Sequence, residues 1–112
     1  MVQYRLALDR TFATLADPTR RDILERLGQG AATITELAEP FGMSLLGLKK
    51  HVSILEEAGL VITEKKGRVR ECRLGPSRLE DAARWIDWYR EQWNRRLARL
   101  DAVVNPRKEA VR

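Results

Sequence analysis

Residues 44–74 read SLLGLKKHVSILEEAGLVITEKKGRVRECRL, and this stretch decides what the chain folds into. Ser44 is a good N-cap residue, because its hydroxyl can accept a hydrogen bond from an otherwise unpaired amide in a first helical turn. With about 100° of rotation per residue, Leu45, Leu48, Val52 and Leu55 fall on one flank of the helix that follows, and Leu46, Lys49, Lys50 and Ser53 fall on the other. The first set suits the core of a small helical domain. On the other side, Ser44, Leu46, Gly47, Lys49, Lys50 and Ser53 form a mixed face able to meet phosphates, base edges and a thymine methyl. A plainly solvated face is the competing reading. The order of charges weakens it: the lysines come early, whereas Glu56 and Glu57 sit in the last turn, where the helix dipole disfavours acids.

Gly59 then ends the helix. Leu60 to Thr63 has strand propensity, Lys66-Gly67 supplies a turn in which Gly67 can take positive φ, and Val69 to Leu74 returns as a second strand. This ribbon carries Lys65, Lys66, Arg68, Arg70 and Arg73 against Glu64 and Glu71. Edge lysines can serve only to prevent aggregation, but directly after such a helix they point to phosphate or minor-groove contact. Lys65, Lys66, Arg68 and Arg70 are the candidates, with Arg68 at the tip. On the N-terminal side, Thr33-Ile34-Thr35-Glu36 fits a capping box, Leu37, Ala38 and Phe41 give an apolar stripe, and Gly42 turns the chain toward Ser44. Helix, short turn, helix and basic ribbon together make a winged helix-turn-helix, with its second helix shaped for the DNA major groove.

Several motifs carry a family resemblance. They are Leu15-Ala16-Asp17-Pro18-Thr19-Arg20-Arg21, Thr35-Glu36-Leu37-Ala38, Lys50-His51-Val52, Leu55-Glu56-Glu57-Ala58-Gly59-Leu60-Val61 and Gly67-Arg68. Together they resemble the ArsR/SmtB family of bacterial transcriptional repressors over nearly the whole chain, from Phe12 to Leu100. The resemblance implies a homodimeric winged-helix repressor that binds an inverted-repeat operator and dimerises through its N- and C-terminal helices. Leu45, Leu46 and Lys49 depart from the family pattern, which commonly has a polar residue, a proline and a serine there. That departure bears on which sequence is bound.

The rest of the chain fits a scaffold around this reading head. Leu8, Phe12 and Leu15 recur at helical spacing, and Asp17 with Pro18 starts a helix, with Ile23, Leu24 and Leu27 as its stripe, that Gly28 closes. Arg20 and Arg21 are within reach of phosphate, although arginines near a helix start are usually just solvated. From Ser77, a good N-cap, a last helix of about 28 residues runs to Pro106, roughly 42 Å. Leu79, Ala82, Ala83, Ile86, Tyr89, Trp93, Leu97, Leu100 and Val104 keep to one stripe, while Trp85 and Trp88 widen it beyond what one small domain needs to cover. Packing within the monomer or a small hydrophobic ligand would account for the tryptophans, but a twofold-related copy is the simpler occupant. Leu8, Phe12, Trp85, Trp88, Tyr89, Trp93, Leu97 and Leu100 are thus the expected dimer interface. Two reading heads at fixed separation predict a palindromic double-stranded DNA target.

Composition bounds this reading. At 112 residues with 21 Lys and Arg against 16 Asp and Glu, the expectation is one mainly α domain with a small β-hairpin wing, ααααββα in order, over residues 1–105. Residues 106–112 are expected to be a disordered tail. Residues 1–43 carry 5 cations and 6 anions, residues 44–74 carry 7 and 4, and residues 75–112 carry 9 and 6. The positive excess therefore begins where the reading head begins. No apolar run approaches the roughly 20 residues of a membrane span, and Met1 to Tyr4 does not open a signal peptide, so the expected location is the cytoplasm. No nucleophile pairs with a base and no glycine-rich phosphate loop occurs, so an enzyme is not expected. Cys72 and His51 are the only soft metal ligands, and Asp81 and Asp87 do not share a helix face, so neither a metal effector nor a cofactor is expected. His51 is expected to pack with a hydrogen bond and Cys72 to be a small buried residue. The alternative function is a winged helix that binds an acidic protein partner.

Overall fold

Local capping chemistry sets the boundaries of three helices in the computed structural model, which describes residues 2–104. The elements run α1 (Val2–Leu15), α2 (Pro18–Leu27), β1 (Ala32–Thr33), α3 (Ile34–Phe41), α4 (Leu45–Glu57), β2 (Val61–Lys66), β3 (Val69–Leu74) and α5 (Pro76–Val104). Asp17 accepts a hydrogen bond from the Arg20 amide at 3.1 Å, and Pro18 occupies the first helical position, where its missing N–H costs nothing. At α3 the capping box is complete: the Glu36 amide donates to Thr33 Oγ1 at 3.2 Å, and the Thr33 amide donates to Glu36 Oε1 at 3.0 Å. Ser44 caps α4 through the Gly47 amide at 3.1 Å.

The end of α4 is a Schellman motif. Gly59 takes φ 76°, its amide donates to Glu56 O at 3.0 Å, and the Leu60 amide donates to Leu55 O at 2.9 Å. Leu60 and Leu55 are both fully buried, which supplies the apolar contact that accompanies this motif. A side chain at position 59 would also collide with Arg78 at 2.9 Å. The chain is thereby turned directly from helix into β2. Strand β2 extends to Lys66, further than its apolar start suggested, and pairs with Val69. The loop is consequently Gly67-Arg68. Positive φ at Gly67 but not at Arg68 is the pattern of a type II′ hairpin turn.

The sheet has three antiparallel strands in the order β1-β3-β2. The two-residue strand β1 was not anticipated. It pairs Ala32 with Cys72 and Thr33 with Glu71, which makes β3 the central strand. Beneath the sheet, Ile23, Leu37, Leu48, Leu55, Leu60, Val61 and Cys72 form the fully buried centre of one core, with Leu15, Phe41, Met43, Leu74 and Leu79 packed at its margin. Each such aliphatic side chain contributes about 1.5–3 kcal/mol on burial.

Two expectations on the scaffold need correction. Arg20 and Arg21 are not simply solvated: Arg20 Nε donates to Thr14 O at 2.9 Å and Arg21 donates to Leu15 O at 2.8 Å. Both therefore cap the carbonyl end of α1, where cations are favoured. Helix α5 starts at Pro76 rather than with Ser77 as its cap, since proline is preorganised for a first helical position.

Contacts divide the chain into two units, residues 1–82 and residues 83–112. The first holds the core, the sheet and the opening of α5 through buried Ala82. In the second, every large apolar side chain of α5, from Trp85 to Val104, is 40–78% exposed. The expected tail over residues 106–112 lies outside the described residues.

Candidate nucleic-acid interface

Helix α4 and the β2–β3 wing converge on a groove of about 710 Å³, to which the N-terminus of α3 adds Thr33, Ile34 and Thr35. Of the residues expected to contact DNA, the groove brings together Lys49, Ser53, Lys65, Arg68 and Arg70. Leu46 and Lys50 are exposed on α4 next to it. Ser44 and Gly47 are engaged with each other in the helix cap, where the Ser44 hydroxyl accepts from the Gly47 amide and keeps its proton to donate. Lys66 lies outside the groove lining and is tied to Glu71 at 3.0 Å, a bond that holds its ammonium more firmly protonated.

The cations differ in how they are occupied. Among the described residues no hydrogen bond or ion pair engages Lys49, Lys50, Lys65 or Arg68. Arg70 instead donates to Thr63 Oγ1 at 2.8 Å, and the Thr63 hydroxyl donates to Glu56 Oε2 at 2.6 Å. This chain of bonds ties the wing to the last turn of α4. It also brings an acid of the last turn onto the basic face, since Glu56 lines the same groove as Lys49. The Thr63 hydroxyl and the Arg70 guanidinium offset that negative charge locally.

Other groove residues were not anticipated. Leu45 was assigned to the buried flank, yet it is 47% exposed and stands in the groove wall. Only Leu48, Val52 and Leu55 of that flank reach the core, whereas Leu45 faces the groove together with Thr33, Ile34 and Thr35 at the start of α3. Thr35 and Thr63, read from the sequence as parts of a helix start and a strand, also line the groove.

His51 does not show the hydrogen-bonded packing expected of it: its Nδ1 is buried and has no partner among the described residues. Cys72 is buried at the centre of the sheet, and burial pushes its thiol up to about 11, which leaves it protonated and unreactive at neutral pH. Among the described residues no three His, Cys, Asp or Glu side chains gather as a metal site would require, and no helix is long and apolar enough to cross a membrane.

For the expected dimer interface, Leu8 is already buried within one chain and so has little surface left for a partner, and Phe12 is half-buried. Trp85, Trp88, Tyr89, Trp93, Leu97 and Leu100 are exposed. Trp85 and Tyr89 stack at 5.6 Å with an interplanar angle of 11°, one helical turn apart. Trp88, Tyr89, Gln92, Trp93, Arg96 and Arg99 border a shallow groove of about 320 Å³ along the helix.

Known proteins share this architecture. A family of helix-turn-helix domains matches residues 15–64. The chain is 32% identical over 79 residues to the transcriptional repressor SdpR of Bacillus subtilis, a match covering 70% of this chain and 88% of that one. A crystallised ArsR family transcriptional regulator is 42% identical with a TM-score of 0.77, covering 84% of this chain and 97% of the other. The homodimeric winged helix-turn-helix DNA-binding domain Mb0332 of Mycobacterium bovis is 26% identical with a TM-score of 0.62, covering 79% of each.

Proposed function

This chain belongs to the ArsR family of winged helix-turn-helix, DNA-binding transcriptional regulators, and from that premise we propose that it is a homodimeric repressor of an inverted-repeat operator. One observation carries the reading: α4 and the wing place Lys49, Lys65 and Arg68, none of them neutralised by a partner among the described residues, around one concave surface. Helix α4 enters the major groove with its N-terminal half. Leu46, Lys49, Lys50 and Ser53 face base edges and phosphates, and Arg68 carries the wing onto the adjacent backbone or minor groove.

The exposed aromatic and leucine side chains of α5 form the dimer contact. Trp85, Trp88, Tyr89, Trp93, Leu97 and Leu100 follow one another at helical spacing and are all exposed, the kind of contiguous apolar face that marks an interaction surface, and a twofold axis lets one patch cover another. Pairing of two copies sets two reading heads at a fixed separation, one turn of DNA (roughly 34–36 Å) or a multiple of it. Mb0332 is homodimeric, which supports a dimeric state for this chain. Residues 1–105 then act as a single reading and dimerising domain, working in the cytoplasm where the DNA is, and repression follows from occluding the polymerase.

The test is a fluorescence-anisotropy titration of the purified chain against the region upstream of its own gene and against a scrambled duplex, at two salt concentrations. Tight binding to the first with much weaker binding to the second is the expected result. Equal, weak binding to both that vanishes with salt would reduce the interface to non-specific charge.

A further inference from the structure

The first turn of α4 exposes two adjacent leucines, Leu45 at 47% and Leu46 at 67%. The core contribution of this helix is complete without them, since Leu48, Val52 and Leu55 are its buried residues. A single exposed leucine is ordinary on a protein surface. An adjacent pair in the opening turn of a helix, each one turn before a lysine that has no partner among the described residues, is placed where a ligand arrives. Leu45 precedes Lys49 in the groove wall, and Leu46 precedes Lys50 beside it.

The surrounding charge decides the occupant. Leu45 shares the groove with Lys49, Lys65, Arg68 and Arg70 against one acid, Glu56, and this excess of positive charge would repel a cationic protein partner while attracting a polyanion. Within the DNA major groove the apolar group offered to a side chain is the C5 methyl of thymine. Building on the DNA-binding reading above, we propose that Leu45 and Leu46 are thymine-methyl readers. Each operator half-site then requires a thymine under the first turn of α4. The lysines stand four residues further along the helix, about 6 Å, which places the base read by Lys49 within about two base pairs of that thymine.

The experiment starts by selecting duplexes from a pool with a randomised centre, using the full chain, which is expected to enrich a thymine at a fixed place in each half-site. The enriched duplex is then remade with deoxyuridine at that place. Uracil keeps the hydrogen-bonding edges of thymine and lacks only the methyl. Binding should weaken about fourfold per half-site, the equivalent of roughly 0.8 kcal/mol for one buried methyl-sized group. The Leu45→Ala/Leu46→Ala double variant leaves the core untouched and gains helix propensity, so its circular-dichroism melt should match that of the wild type. It should bind the thymine duplex with the weakened affinity and no longer distinguish it from the uracil duplex. Equal binding of both duplexes by the wild type, or undiminished discrimination by the variant, overturns the inference while sparing the DNA-binding reading. Failure to enrich any sequence overturns both.

Discussion

Replacing Arg68 with alanine isolates the wing from the rest of the molecule. The residue occupies the second position of the Gly67-Arg68 turn, and no ion pair or hydrogen bond engages it among the described residues, so its loss removes nothing that holds the fold. If its guanidinium neutralises one phosphate, the salt slope of binding, log K against log salt, should flatten by about 0.9 per copy, or about 1.8 for a dimer. The same relation gives the affinity at 0.15 M salt: about fivefold lost per contact and about 30-fold per dimer. Lys66→Ala is the internal control. Its ammonium already neutralises Glu71 at 3.0 Å, so removing it should change the slope by less than half as much. Anisotropy titrations at four salt concentrations, on operator and scrambled duplex alike, measure both slopes. An unchanged slope for Arg68→Ala, or a larger change for Lys66→Ala, would refute the assignment of the wing tip to the backbone.

Three further outcomes follow from other parts of the molecule. Thr63→Val keeps strand propensity but breaks the Glu56–Thr63–Arg70 chain; stability should fall by roughly 1 kcal/mol or less, and hydrogen exchange should quicken in the wing but not in α4, whereas unchanged wing protection would mean the chain of bonds couples nothing. Cys72, pushed from its ordinary 9.0 to about 11, should react with a thiol reagent at pH 8.5 only as fast as the protein unfolds globally. Because its folded value is the higher one, the stability it contributes is present below pH 9 and lost as pH rises toward 11; a melting temperature that climbs across that window would contradict this. The Arg20 amide holds Asp17 below its ordinary 3.8 and the Thr33 amide holds Glu36 below its ordinary 4.5. Their stabilisation is thus present above pH 4.5 and lost as pH falls through the lower folded values. In a melting series from pH 6 to pH 3, Glu36→Gln should flatten the acid limb.

What could be read from the sequence was whatever a few neighbouring residues settle among themselves. Asp17-Pro18, Thr33 with Glu36, Ser44, Gly59 and Gly67 each satisfy or redirect the backbone within about five positions, and each sits where its chemistry implied. Strand β1 is two residues long and exists because β3 lies beside it, so Ala32 and Thr33 carry no local mark of it. Periodicity placed Leu45 inward because it knows the direction of a side chain and not where the neighbouring elements stop. Glu56 was read by its place along the helix, and its place across the helix, toward Thr63, depends on where β2 returns. His51 fails for the same reason: a helical wheel puts it at the edge of the core but does not supply the partner that its Nδ1 lacks among the described residues.

Thr33 belongs to two structures at once, as the last residue of β1, paired with Glu71, and as the cap of α3. Moving it by one position along β3 would uncap the helix, so sheet register and helix start cannot drift separately. This sets the smallest piece that can be transplanted between relatives. A graft taken at residues 15–64, the span that matches the helix-turn-helix family, cuts β2 short and omits β3, so β1 and β2 must pair with a strand that is not their own. The exchangeable cassette ends at Leu74, and chimeras joined upstream of that point inherit a reading helix whose support has been left behind in the donor.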